Sequence, residues 1–308
     1  MKNTLSTLLL VVSVLATSAF AQLVSNPHLP TPAAQGMGGA YSAGARGSDA
    51  VLWNPAGLGL SQGTGGRFAY HQPYSASFLS HISVSGFSVL PKKAGAIGFA
   101  VQNLATRLNG ETVSSESEIS LAHGLLLQED IYSAFSIGYA VKFISWSLGE
   151  SVDGPSGSYD LGSAMAVGID VGATAKVWDR FVLASAFHNI NHPQMGSGLK
   201  RDLPRSMSYG VQYEPYYGVK TSFDIERRLE AGTVFKAGSD LQVAKPFHLR
   251  VGVMTNPNVF TAGFGLFYRD ITVDYAFLYH PVLSPSHTFS VGFDVPQGLG
   301  QLWSAGNQ

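Results

Sequence analysis

Cysteine is absent from the 308 residues, which excludes thiol catalysis, thiolate metal sites, disulfide staples and a lipid-modified cysteine anchor. Charge is scarce as well. Asp, Glu, Lys and Arg make up 13% of the chain, about half of the ~25% usual in a soluble domain, whereas the apolar fraction of 45% is ordinary. A surface with so few charges does not face only water. The 19 Lys plus Arg are offset by 20 Asp plus Glu and form no basic run, which argues against a nucleic-acid partner held by phosphate neutralisation. Past the N-terminus there is no apolar stretch of the ~18 residues or more that marks a membrane-spanning helix. What the chain has instead is glycine, 35 residues, together with 18 Phe and 13 Tyr. Glycine costs a helix about 1 kcal/mol relative to alanine, while aromatic residues suit strands.

Residues 1–21 read as a secretory signal: Lys2 is the charged region, Leu8 to Ala16 the apolar run, and Ala19-Phe20-Ala21 a small-x-small cleavage site. The run is too short for the ~20 residues of a spanning helix. Export without a helical anchor leaves the periplasm, secretion or an outer-membrane barrel.

From Phe68 onward, side-chain character alternates with period two, as in strands with two unlike faces. At the C-terminal end His287, Phe289, Val291, Phe293 and Val295 alternate with Ser286, Thr288, Ser290, Gly292 and Asp294. Before them, Ile271, Val273, Tyr275, Phe277 and Tyr279 share a face, as do Phe260, Ala262, Phe264, Leu266 and Tyr268. Further segments fall near 66–74, 78–90, 95–104, 117–126, 131–145, 167–177, 180–189, 205–214, 217–227, 232–241 and 247–255, which makes 14 in all. Their lengths suit tilted transmembrane strands of ~9–11 residues, and an even count brings both ends of a barrel to the same side.

Connection lengths alternate. Pro91 to Ala94, Leu127 to Asp130, Trp178-Asp179, Pro215-Tyr216, Gln242 to Pro246 and Arg269-Asp270 are tight, while Ala105 to Glu116, Trp146 to Ala166 and Ile190 to Pro204 are long. Short periplasmic turns and longer outer loops sort in this way in bacterial barrels; a soluble β-sandwich has no reason to do so. The polar face holds small residues with scattered charges, namely Lys142, Asp170, Lys176, Lys220, Asp224, Glu226, Arg250 and Asp274. These are expected to face the lumen and neutralise one another, because an unpaired buried ion is costly. Trp146 and Trp178 are expected in interfacial girdles.

Residues 22–65 do not alternate. They carry Gly36-Met37-Gly38-Gly39-Ala40, Asp49-Ala50 and Trp53-Asn54-Pro55-Ala56-Gly57-Leu58. So much Gly and Ala cannot build a separate core, yet the segment is too apolar for a soluble tail; the lumen is its natural place. Asn54-Pro55 is a turn signal. Arg46 and Asp49 are expected to pin the segment to wall charges.

These strings resemble the N-terminal hatch of the FadL-like outer-membrane proteins, including the PorV/PorQ family. Leu249-Arg250-Val251-Gly252, Ala262-Gly263-Phe264-Gly265-Leu266, Val273-Asp274-Tyr275-Ala276-Phe277 and Ser286-His287-Thr288-Phe289-Ser290 are similar to the closing strands of PorV/PorQ-type chains. The resemblance implies an all-β, 14-stranded antiparallel transmembrane β-barrel with an N-terminal hatch in the lumen. The expected organisation is a signal peptide over 1–21, a hatch over 22–65, a barrel over 66–295 and a tail over 296–308. Hatch residues are Arg46, Asp49, Asn54 and Pro55.

No nucleophile elbow, zincin, P-loop or dinucleotide fingerprint occurs. His188 and His192 have metal-like spacing, but they fall at a strand end and in a loop beside Pro193. A Ser and His dyad on neighbouring strands would leave no linear signature; the chain is read as a non-enzyme without metal or cofactor. The resemblance implies passive transport of small hydrophobic molecules across the outer membrane of a Gram-negative-type bacterium, with outer-membrane lipids and a hydrophobic ligand as partners. Its PorV/PorQ side implies the alternative of a component that meets the proteins of a type IX-like secretion system.

Overall fold

The computed structural model describes residues 31–91, 93–149, 161–196 and 200–295. The expected signal peptide and the expected C-terminal tail lie outside these residues. Two short helices come first, α1 (Pro32–Gly36) and α2 (Gly47–Trp53), then a 3-10 turn over Pro55–Leu60. Strands follow: β1 (Thr64–Gln72), β2 (Leu79–Val89), β3 (Ala96–Leu108), β4 (Glu111–Glu129), β5 (Ser133–Leu148), β6 (Ser163–Val177), β7 (Phe181–His188), β8 (Gln194–Met195), β9 (Arg201–Asp202), β10 (Ser206–Tyr216), β11 (Val219–Arg228), β12 (Gly232–Ala244), β13 (Phe247–Met254), β14 (Val259–Tyr268), β15 (Ile271–Tyr279) and β16 (Ser286–Val295).

All of these except β8 and β9 form one closed antiparallel barrel of 14 strands, each next to its neighbour in sequence. The ring closes where β16 pairs with β1, from Thr64 opposite Val295 to Gln72 opposite His287. Closure matters because a strand edge left open to lipid would carry unpaired amides that nothing there can satisfy.

The period-two pattern survives around the ring. On β16, Thr288 and Ser290 are buried, while Phe289, Val291 and Phe293 stand more than half exposed on the outside. Phe264 and Phe68 are likewise outward, beside Ile97, Phe99, Val101, Ile119 and Leu121 on the neighbouring strands. This outer belt is apolar where a soluble protein would place charge. At the short-turn end Trp178, Tyr132, Tyr216, Tyr217 and Tyr268 project outward, an aromatic girdle of the sort found at a membrane interface. Trp146 does not join a girdle. It has the inward parity of Lys142 and Ile144, packs on the Ile144, Met195 and Leu203 cluster, and donates its indole N–H to Ser114 Oγ at 2.9 Å.

The loops differ from expectation in detail. Ala105 to Glu116 is not a long loop: β3 and β4 continue past the expected ends and meet in a two-residue turn, Asn109-Gly110, with φ of 52° and 90°. Positive φ at both central residues is the hairpin geometry that matches strand twist, and Asn-Gly is its preferred sequence. Ile190 to Pro204 carries the small β8–β9 ribbon, which pairs Gln194 with Asp202 and Met195 with Arg201. The tight turn expected at Pro215-Tyr216 lies two residues later, with Gly218 at φ 80°.

Candidate functional site: the lumen and its inner segment

Residues 31–63 cross the inside of the barrel. Helix α1 packs on β13 to β16, α2 on β1 to β4, and the 3-10 turn on β3 to β6, so the segment touches opposite walls. Ala34, Met37, Ala40, Ala43, Ala45, Ala50, Ala56 and Leu58 are all essentially inaccessible. Small side chains are what allow a strand-lined tube to hold a folded chain.

The wall is hollowed to match. Inward glycines stand where the segment comes closest: Gly124, Gly138 and Gly172 on β4 to β6 lie opposite one another in register, as do Gly238 and Gly252 on β12 and β13. A β-carbon at Gly124 would come within 2.6 Å of the Gly59 amide nitrogen. At Gly138 it would meet the Pro55 carbonyl, at Gly172 the Asn54 side chain, and at Gly238 and Gly252 the backbone of Met37. These wall glycines are therefore room for the inner segment. Within the segment Gly38 and Gly39 take φ of 64° and 75°, and a side chain on Gly38 would also strike the Val253 amide nitrogen at 2.7 Å.

Polar ties fix the fit. Asp224 Oδ2 on β11 accepts the backbone N–H groups of Tyr41 at 3.1 Å and Ser42 at 2.9 Å. Ser136 Oγ donates to the Ala56 carbonyl at 2.8 Å and Thr261 Oγ1 to the Gly36 carbonyl at 3.1 Å. Asn54 Nδ2 donates to the Ser42 carbonyl and to Thr174 Oγ1, both at 3.2 Å, while its Oδ1 accepts the Ala56 N–H at 3.1 Å. That last bond makes Asn54 the cap of the turn that Pro55 begins, with φ preset by the proline ring.

A chain of buried charges runs from the segment into the wall. Asp49 Oδ1 lies 3.3 Å from Arg67 Nε; Arg67 Nη1 reaches Asp274 Oδ2 at 2.8 Å; Asp274 Oδ1 meets Arg250 Nη1 at 2.6 Å; and Arg250 Nε meets Asp240 Oδ2 at 2.8 Å. Burial pushes the Asp49 carboxyl above the usual carboxylate range, and Arg67 opposes that shift. Arg46, expected to contact a wall charge, instead donates through Nη1 to the carbonyls of Ala43 at 3.1 Å and Ala45 at 2.7 Å. Sequence reasoning missed Arg67, whose signal was its inward parity with Ala69 and His71 on β1.

Two more charged groups occupy the lumen wall. Asp170 holds Lys142 Nζ at 3.0 Å and His188 Nδ1 at 2.7 Å. Glu226 holds Lys236 Nζ at 2.6 Å and Arg228 Nε at 3.0 Å, and Lys236 lies 5.6 Å from the ring centre of Trp53. Lys176 and Lys220 share the inward parity but sit at the short-turn end, where Lys176 pairs with the exposed Asp179 at 2.6 Å and both border a cavity below the inner segment. Among the described residues no group of three or more His, Asp or Glu could hold a metal ion.

No family model matches the chain, and no curated protein does. Solved structures do. The Ralstonia pickettii toluene transporter TbuX superposes with a TM-score of 0.62 at 13% identity over 87% of this chain and 99% of that one. The P. putida toluene transporter TodX gives 0.61 at 13% identity, over 86% and 98%, and a Pseudomonas aeruginosa FadL homologue 0.57 at 10% identity, over 86% and 98%. The chain has the 14-stranded barrel fold of these FadL-like transporters.

Proposed function

We propose that the chain is an outer-membrane channel for passive entry of small hydrophobic molecules, with residues 31–63 as its hatch. The observation that carries this reading is the inner segment itself: it fills the barrel at the level of the glycine belt, and discrete polar ties hold it there. An aqueous pore would be lined and open, whereas here water and ions meet packed backbone. The outer belt of Phe, Val, Ile and Leu is what a lipid environment requires. The likeness in fold to toluene transporters supports a hydrophobic cargo, and the secretion-system alternative has no supporting observation in the fold.

Two measurements test it. Fractionation should recover a heat-modifiable, β-rich protein in the outer membrane, since a closed barrel resists detergent until boiled; recovery as a soluble periplasmic protein would contradict the assignment. Cells that lack their own hydrocarbon channels, expressing this protein, should take up labelled toluene several-fold faster while glucose and ion permeability stay at background. Faster glucose entry with unchanged toluene uptake would indicate an ordinary porin instead.

A further inference from the structure

On the outer wall, toward the end opposite the short turns, lies a groove of about 580 Å³. Phe223, Ala237, Val253, Phe260 and Tyr279 stand side by side in register across β11 to β15, all facing away from the lumen. Ala237 and Val253 form the floor, between the rings of Phe223 and Phe235 on one side and those of Phe260 and Tyr279 on the other. Phe223 and Phe235 stack with their centres 6.5 Å apart. The turn after β13 is fixed beside the groove, because Thr255 Oγ1 accepts the Phe235 N–H at 2.9 Å and Asn256 Nδ2 donates to the Thr233 carbonyl at 2.8 Å. The groove is therefore preformed.

Two guanidiniums stand above it. The outward row of β11 runs Phe223, Ile225, Arg227, which puts Arg227 four residues, about 13 Å, beyond Phe223 toward the outer rim. Arg227 lies opposite Met207 on β10 and Thr233 on β12, and its Nη1 donates to Thr233 Oγ1 at 3.1 Å. Arg205 continues the parity of Met207, and its carbonyl extends the ladder by accepting the Leu229 N–H at 3.1 Å. Diagonal neighbours of this kind are ~7–8 Å apart, within reach of long side chains. Arg205 Nη1 donates to His192 Nε2 at 2.6 Å. Each of these bonds orients a guanidinium without neutralising it, and neither arginine has a carboxylate partner among the described residues. The acids nearby are placed otherwise. Glu226 is inside the barrel with Lys236 and Arg228, Asp202 accepts Gln194 Nε2 at 2.8 Å, and Glu230 is exposed in the turn after β11. Paired guanidiniums suit a phosphate, whose oxygens accept charge-assisted bonds from both. A free phosphate would leave the groove unused, and an uncharged lipid would leave the arginines unused.

We propose that this face seats a phosphorylated, multiply acylated glycolipid of the outer leaflet, its phosphate between Arg205 and Arg227 and one acyl chain in the groove over Ala237. The site depends on placement in the outer membrane and not on what crosses the barrel.

Lipid A is the probe and dephosphorylated lipid A its uncharged counterpart, each titrated into the full-length folded barrel in detergent and followed as bound copies by native mass spectrometry. Lipid A should bind at least about tenfold more tightly than the dephosphorylated form. Arg205→Gln and Arg227→Gln should each weaken lipid A about tenfold, the loss expected for one charge-assisted hydrogen bond, and leave the dephosphorylated form unchanged. Ala237→Phe, which fills the groove, should weaken both. Arg107→Gln should change neither: Arg107 is at the same end of the barrel, on β3, where it bonds Ser80. All four side chains face outward, so the variants keep the barrel interior and should fold. A loss at Arg107 equal to that at Arg227 would overturn the proposal, because lipid would then coat the rim without a site. Lipid A binding that none of the first three substitutions alters would overturn it too, as would phosphatidylglycerol binding as tightly as lipid A. Lipid A binding at this face without toluene uptake would remove the transport reading and leave this site standing; toluene uptake without a preference for lipid A would do the reverse.

Discussion

At Gly138 an added β-carbon would fall inside the contact distance of the Pro55 carbonyl and the Ala56 amide, so β5 can approach the inner segment only because no side chain is there. Gly138→Val should therefore dislodge the 3-10 turn while leaving the barrel intact, since β5 keeps its hydrogen bonds and valine favours strands. The expected readout is an ion conductance in planar bilayers well above the parent's, with unchanged heat modifiability. An equally closed variant would mean that the segment does not depend on this contact. On the outer face the opposite chemistry holds. Phe289→Arg should cost about 2–4 kcal/mol of folding free energy in bilayers if the site is near the midplane, and about 0–1 near an interface. Ser290→Ala, pointing inward, should cost less than a midplane arginine, and folding titrations of the two variants compare the faces directly.

Among the elements, the stretch from Gly38 to Gly47 is the bend that joins α1 to α2. Helix α1 packs on β13–β16 and the 3-10 turn on β3–β6, whereas the bend is tied to the wall by Asp224 through two backbone N–H groups and to Asn54 through the Ser42 carbonyl. Asp224→Ala should leave the barrel folded but make residues 38–47 exchange amide hydrogens faster than α2; equal protection would show that packing alone holds the bend. The strands themselves were legible in the sequence because one face must be apolar and the other small, and a period-two pattern records both. The upper part of the β3–β4 hairpin was not. Over Glu111 to Glu118 the strand is Ser- and Glu-rich on both faces, so no alternation marks it, and only the Asn-Gly pair signalled the turn. The inward glycines were equally hidden. A glycine facing the lumen and one that merely fills a sheet look alike in sequence, and the contrast depends on where a distant segment passes. The same limit applied to Arg46, whose partners are carbonyls of its own bend rather than a charge.

For the molecule as a whole, the inner segment is held across the lumen by the run of paired charges from Asp49 to Asp240, by the Asp224 carboxylate and by backbone contacts at the glycine belt. Asp49→Asn removes the segment's own charge from that run while Arg67 keeps Asp274 at 2.8 Å, so it should loosen the segment by weakening its tie to Arg67, and its conductance should rise less than that of a variant without the segment. Deletion of residues 31–60 tests the central claim most directly, with single-channel conductance of the refolded protein in planar bilayers as the measurement. The deletion variant should fold into a heat-modifiable barrel and conduct ions steadily, while the full-length protein stays nearly closed. A deletion variant that folds yet conducts no more than the parent would show that the inner segment does not close the barrel.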